Sequence, residues 1–278
     1  MPTLDTIPVS TLRPPVEPDR RGLFSAALAA ETTKFRSVRS TVWTLLTVVA
    51  ATVGIGAIFC AAEVARWDQI SPHMRAVFDP TLQSLNGIIP AQLAIGVLGV
   101  LVISSEYTTG TIRTTLAAIP QRKLILGAKV VVFAAAAMVV ALISCVAAFV
   151  AGQGILARKD IGASIVDPGV LRAVLGGALY LTAIGLLGLA LGTLLRRTSG
   201  AVATLLGILL VLPILTHALP APWGTNITKY LPSQAGQALF SVRHTFDLLH
   251  PGAGLAVLAG YVAAALLAAI LVLSRRDS

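Results

Sequence analysis

The stretch VLRAVLGGALYLTAIGLLGLALGTLLRRTSGAVATLLGILLVLPILTHAL, Val170–Leu219, decides the architecture. It holds two apolar blocks, Val170–Leu195 and Ala201–Leu219, separated only by Arg196-Arg197-Thr198-Ser199-Gly200. Crossing ~30 Å of hydrocarbon takes roughly 20 mostly apolar residues. Lipid offers backbone N–H and C=O groups no partner, so each block must close its hydrogen bonds within itself and reads as a helix. Four further blocks meet the same test, Val42–Ala62, Gly87–Ser104, Leu124–Ala151 and Ala253–Leu273. The expected fold is an all-α polytopic membrane protein with six transmembrane helices.

Composition agrees. Of the 278 residues 56% are hydrophobic and 12% charged, and the mean hydropathy is +0.85, too little polar surface to clothe a soluble globule. The blocks use up the chain and leave no room for a separate soluble catalytic domain, so one membrane domain is expected over 23–278. Ahead of it, 1–22 carries Pro2, Pro8, Pro14, Pro15 and Pro18 and reads as a disordered cytoplasmic tail. No secretory signal is expected, because the first apolar run starts only near Val42.

The formal net charge is +9, but the basic residues fall in short clusters between the blocks instead of forming an aromatic-interleaved stripe. They read as topology signals, and no nucleic-acid partner is expected. With both termini inside, 14 of the 21 Lys and Arg residues lie on the cytoplasmic side, including Arg122-Lys123, Arg196-Arg197 and Arg275-Arg276. The positive-inside rule then puts both termini on the cytoplasmic side, and a multi-pass protein of the cell (plasma) membrane is expected. Cys60 and Cys145 sit in or at the end of apolar blocks and read as small buried hydrophobes.

Segments outside the spans carry the finer signals. Over Ser25–Ser40, Leu28, Phe35 and Val38 share a helical face, while Lys34, Arg36 and Arg39 point elsewhere. This is the pattern of an interfacial helix whose basic side meets anionic lipid headgroups, or else of a simple extension of the first span. Between the fifth and sixth spans, Ala235, Ala238, Leu239, Val242, Phe246 and Leu249 recur at helical spacing, which predicts an outer amphipathic or re-entrant segment broken by Pro220, Pro222, Pro232 and Pro251. The pair Gly188 and Gly192 lets another helix approach closely, packing within one protomer being the simpler reading. Pro213 frees a carbonyl in the fifth span and is a candidate kink or hinge.

The inner loop SSEYTTGTIRTTLAAIPQRKLILGAK, Ser104–Lys129, is the most informative polar stretch. Ile112, Leu116 and Ile119 share a face, Gly110 permits a turn, and Pro120 ends the pattern before Arg122-Lys123, so a short helix along the membrane surface is expected. Glu106 stands where the second span ends. It either pairs with a counter-charge, for which Arg113 and Lys129 are the candidates, or begins the solvated loop and caps a helix.

No phosphate-binding loop, dinucleotide turn or H-E-x-x-H helix occurs in the chain, so no nucleotide hydrolysis of its own is expected. His73, His217, His244 and His250 lack metal-ligand spacing, and neither a metal nor a bound cofactor is expected.

ETTKFRSVRSTVWTLL (Glu31–Leu46) together with SEYTTGTIRTTLAAIPQRK and the downstream Ala128-Lys129 resembles the permease subunits of ABC-2 type ABC transporters, especially those of actinobacteria. The six-span layout and the long segment before the last span extend that resemblance over nearly the whole chain. It implies an exporter subunit that works with separately encoded ABC ATPase subunits, which bind the ATP, and with a second identical or homologous permease subunit. It also assigns Glu106, Gly110, Thr111, Arg113 and Pro120 to a cytoplasmic coupling helix, and Glu31, Lys34, Arg36 and Arg39 to the interfacial helix, as contact residues. The Pro-rich front segment has no counterpart in the family pattern. Walls of Ala, Leu, Val and Gly favour an amphipathic or hydrophobic substrate, without naming substrate-binding residues. The rival readings are an ion-gradient-driven secondary transporter, a non-transporting membrane scaffold and an intramembrane enzyme. The first requires ionisable groups near the midplane, the last paired acids, a His pair or a Ser/Lys dyad, and the spans display none of these.

Overall fold

A computed structural model describes residues 20–109, 122–220, 223–243 and 248–275. Among the described residues the chain is helical, without strands. Of the expected tail over 1–22, residues 1–19 lie outside them, while Arg20, Arg21 and Gly22 open the first helix; the expected short helix between Gly110 and Pro120 lies outside them too, as does Phe246. The helices are α1 (Arg20–Ser37), α2 (Arg39–Arg66), α3 (Pro72–Ala76), α4 (Pro80–Leu85), α5 (Ile88–Thr109), α6 (Arg122–Leu156), α7 (Val170–Leu195), α8 (Thr198–Leu206), α9 (Leu212–His217), α10 (Trp223–Thr228), α11 (Pro232–Phe240) and α12 (Pro251–Arg275).

Among the described residues, six stretches are long and apolar enough to cross a membrane: Arg39–Gln69, Ile88–Tyr107, Lys123–Lys159, Val170–Leu195, Thr198–Thr216 and Pro251–Leu273. The six expected spans are therefore present. The fourth has the expected bounds, whereas the first and third run longer because polar groups near their far ends are satisfied. Glu63 accepts from Arg66 Nε at 2.8 Å. Gln153 donates to the Pro80 carbonyl at 3.0 Å and to Ser84 Oγ at 2.9 Å, and accepts from the Ala163 N–H at 2.6 Å. Val38, in an extended conformation (φ −83°, ψ 108°), breaks the chain between α1 and α2, so α1 is a helix in its own right and not an extension of the first span.

The fourth span, α7, is the centre of the bundle, with most of its residues buried, and packs on the second, third and sixth spans. Its closest neighbour is the second. A Cβ on Gly188 would collide with the Gly96 carbonyl oxygen, one on Gly99 with that of Gly185, and one on Gly192 would stand 2.9 Å from that of Val100. Only hydrogen at these positions lets the two backbones meet, so Gly188 and Gly192 do serve packing within the protomer. Deeper in the same seam, the Tyr180 hydroxyl donates to Gln92 Oε1, which satisfies two buried polar groups.

The end of the bundle away from α1 is closed by short helices folded back into it. Asp79 Oδ1 caps α4 by accepting from the Thr81 and Leu82 N–H groups, both at 3.0 Å. α4 then packs between the first and third spans with Thr81, Ser84 and Leu85 buried. Gly56, whose missing side chain makes room for the Ser84 carbonyl, lies ten residues before Arg66, about 15 Å along the helix. The second oxygen, Asp79 Oδ2, accepts from the Val242 N–H at 2.8 Å and the Arg243 N–H at 3.0 Å, joining this loop to the segment before the sixth span. That segment departs from expectation. Its helix α11 stops at Phe240, is buried against the fourth and sixth spans, and leaves Val242 and Leu249 in irregular chain. Arg172 closes its C-terminus by donating to the Leu239 and Ser241 carbonyls at 3.0 and 2.9 Å, a cation at the negative end of a helix. In the fifth span, Pro213 has no N–H to donate, and the turn before it, Gly207–Val211, widens to a π-helix in which the Leu212 N–H reaches back to the Gly207 carbonyl.

Gly188→Ala is expected to destabilise the protein by about 1–3 kcal/mol, because a backbone must shift to admit the methyl group. Gly260→Ala, with nothing within 4 Å, is expected to be neutral. Thermal unfolding of the two purified variants side by side checks the difference.

Candidate functional site

At the α1 end of the bundle four charged residues from three elements meet. Glu31 and Lys34 are one helical turn apart on α1, Glu106 is near the end of the second span, and Lys129 lies seven residues into α6, about 10 Å from its start. Lys129 Nζ donates to Glu31 Oε2 at 2.5 Å and to Glu106 Oε1 at 2.9 Å. Lys34 Nζ donates to the same Glu106 oxygen at 2.5 Å and stands 3.6 Å from Glu31 Oε1. Lys129 is 2% exposed, Glu106 5% and Glu31 7%, while Lys34 is about half-buried at the mouth. Two carboxylates and two ammonium groups leave the cluster formally neutral.

Neutrality is what makes the burial tolerable. An ion taken out of water costs several kcal/mol, and mutual attraction offsets this only where partners are close and hydrogen-bonded. Replacing all four groups by well-packed apolar ones would cost little, so the cluster is weak as a stabiliser. Its consequence is geometric: α1, the second span and the third span cannot separate without exposing an unpaired charge at membrane depth.

Burial alone would lower the pKa of Lys34, but the hydrogen bond and charge of Glu106, followed by those of Glu31, outweigh it and hold the ammonium above its ordinary 10.5. A raised folded-state pKa means that the stabilisation from Lys34 is complete below 10.5 and fades only as the pH climbs through the raised value. This lysine therefore remains charged through the neutral range.

More contacts converge on the end of the second span. Thr198 Oγ1, at the start of the fifth span, donates to Ser104 Oγ at 2.9 Å. The Arg196 guanidinium stacks over the Tyr107 ring at 5.5 Å, with Arg196 itself in the left-handed conformation (φ 52°) that ends α7. The helical stretch that ends at Thr109 thus touches α1, the third span and the turn between the fourth and fifth. Beside the cluster a cavity of about 360 Å³ opens between α1 and the first two spans, with Phe35, Leu98, Leu101 and Val102 as apolar walls and the charged residues at its base.

Of the residues singled out from the sequence, Glu106 is paired and not solvated. Lys129, one of its two candidate partners, is joined by Lys34, whose role the sequence did not reveal. Glu31 and Lys34 turn inward to the spans, whereas Arg36 and Arg39 are exposed. Gly110, Thr111, Arg113 and Pro120 lie outside the described residues. Among the ionisable groups that the described spans contain after all, Glu106 and Lys129 sit towards the α1 end, whereas Glu63, Arg66 and Arg172 lie towards the other. The signal for Glu106 and Lys129 was a lysine seven residues into a long apolar helix and a lone acid near the end of another apolar one, each of which requires a partner.

The family model described as ABC-2 family transporter protein matches residues 68–273. The match takes in Glu106 and Lys129 and the second to sixth spans, and leaves α1 ahead of it, so the cluster ties a matched region to an unmatched one. No curated protein matches the chain.

Removing one member should cost far more than removing a balanced pair. Lys129→Met alone and Glu31→Gln alone are each expected to destabilise the protein by about 3–5 kcal/mol. The double variant leaves Glu106 with Lys34 and should lose much less than the sum. A double-mutant cycle by thermal or denaturant unfolding in detergent reads the coupling, expected above about 1 kcal/mol. Simple additivity would contradict the pairing.

Proposed function

Because the chain belongs to the ABC-2 family of transporter proteins, we propose that it is the membrane-crossing subunit of an ATP-driven exporter, moved by separate ATPase subunits and paired with a second identical or homologous permease subunit. In this reading the complex sits in the cell membrane, the α1 end faces the cytoplasm with both termini, and the segment containing Gly110, Thr111, Arg113 and Pro120 rests on the ATPase. The ATPase binds and hydrolyses the nucleotide. What this chain contributes is the linkage from its cytoplasmic surface to its spans.

The observation that carries the reading is the buried four-charge cluster, placed within one helical turn of the point where the chain leaves the second span for that segment. A displacement delivered after Thr109 pulls on Glu106. Because Lys129 and Lys34 share its carboxylate, the third span and α1 follow, while Ser104 and Tyr107 carry the movement to the turn between the fourth and fifth spans. An elastic loop would absorb such a push, whereas a set of helices locked through unpairable charges passes it on. The substrate class that fits is amphipathic or hydrophobic and moves outward, supported by the mostly apolar cavity beside the cluster with polar groups at its base.

The closed, neutral and peripheral arrangement of Glu106 and Lys129 disfavours an ion-gradient mechanism, which needs exchangeable protons or ions near the midplane. In vesicles containing the chain and its ATPase, Glu106→Gln is expected to reduce export about fivefold or more, the size of an ordinary coupling energy, while ATP hydrolysis continues and membrane insertion is intact. Arg113→Gln should act in the same direction. Undiminished export by both variants would refute the coupling role.

A further inference from the structure

On the side of α1 away from the ion cluster lies a second cavity, of about 660 Å³, between α1, the first span and the third. We propose that it holds one acyl chain of an anionic phospholipid whose phosphate is bound by Arg36. The inference stands apart from the transport reading and requires only that the spans lie in a bilayer.

Three observations support it. The first is the chemistry of the walls. Leu28, Thr32 and Phe35 recur at i, i+4 and i+7 on α1, and the third span contributes its Val131–Val140 face, where Ala135 and Ala136 supply the missing bulk. This face runs eight to nine residues, about 12 Å, along the helix, so the hollow is elongated in the direction of a lipid tail. The second is its opening. Val131, Ala135 and Val139, spaced four residues apart, are exposed, so the groove faces the surroundings of the bundle and not its core. In a bilayer the medium that meets this face is hydrocarbon, and a hollow too apolar for water is filled by a chain.

The third is charge. Arg36 is the one charged residue lining the groove, and among the described residues no carboxylate lies within ion-pair distance of it. Glu31 and Glu106, the nearest acids in this part of the fold, are taken up by Lys34 and Lys129 on the other face of α1. An arginine fork at the mouth of an apolar slot matches a phosphate with a tail, and matches it better when no headgroup ammonium competes. Phe35 separates the two cavities, its ring edge-on to Phe133 at 6.2 Å between centroids. The lipid would therefore brace α1 from one side while the ion cluster holds it from the other.

Native mass spectrometry of the purified full chain, titrated in detergent with phosphatidylglycerol or with phosphatidylcholine of the same acyl chains, tests this. The wild-type chain should retain one phosphatidylglycerol about fivefold more strongly than phosphatidylcholine, the worth of one basic residue near an anionic headgroup. Arg36→Gln should reduce phosphatidylglycerol to the phosphatidylcholine level and Arg36→Lys should keep most of the preference. Ala135→Leu, which fills the slot from its open side, should weaken both lipids with no change in the unfolding temperature. Equal retention of the two lipids by the wild-type chain, retention by Ala135→Leu as strong as wild type, or a different amphiphile occupying the groove would overturn the proposal.

Discussion

A charge buried in a lipid layer has to be matched on the spot, and at the α1 end of this bundle that rule is obeyed by four residues drawn from three helices. The pairing is mutual. Glu106 accepts from two lysines and Lys129 donates to two carboxylates, so no member can leave without stranding another. Stability is the smaller part of the effect, since an apolar replacement of the whole set would do comparably well. The larger part is that α1, which lies ahead of the first span in sequence, is fixed to the second and third spans.

Elsewhere the fold is held by closeness of backbone rather than by charge. Hydrophobic burial gives little net drive between helices when the medium is as apolar as leucine, and van der Waals contact takes over. That is why the seam of the second and fourth spans is lined with glycine, with carbonyl oxygens resting where side chains would stand. The far end adds a third device: Asp79 accepts four backbone N–H groups, two from α4 and two from the segment before the sixth span. The spans are thus cross-linked at both ends by polar groups and sealed in the middle by shape.

What the sequence discloses divides along physical lines. Span number is legible because length and apolarity alone are decisive in lipid, and the fourth span, bounded by Gly169 and the left-handed Arg196, even has the expected limits. The extensions of the first and third spans are not, since Glu63 and Gln153 look like terminators until their partners are known. Glu106 announces its need for a counter-charge, and Lys129 was one of two candidates. Lys34 was hidden because the face of α1 that turns inward depends on docking, and its Leu28–Phe35–Val38 stripe suggested only that the basic residues point away. Periodicity overran the outer helix for a similar reason. Apolar spacing continues past Phe240, but Asp79, 163 residues earlier, takes the Val242 N–H and diverts the chain. Gly96 and Gly99 complete the seam from the second span, but at a spacing of three they lack the G-x-x-x-G pattern that Gly188 and Gly192 display. For Gly110, Thr111, Arg113 and Pro120, which lie outside the described residues, the coupling role is what the family resemblance alone implies.

Pulsed electron–electron spin resonance offers the most direct test of the claim that the cluster makes one moving body of α1 and the spans it touches. Labels would be placed pairwise at the exposed positions Thr33 on α1, Lys123 on the third span and Leu267 on the sixth, in the proposed complex with an ATPase, with and without bound nucleotide. The predicted result is a Thr33–Lys123 distance that stays the same across the cycle while Thr33–Leu267 changes. A nucleotide-dependent Thr33–Lys123 distance in the wild-type chain would contradict it.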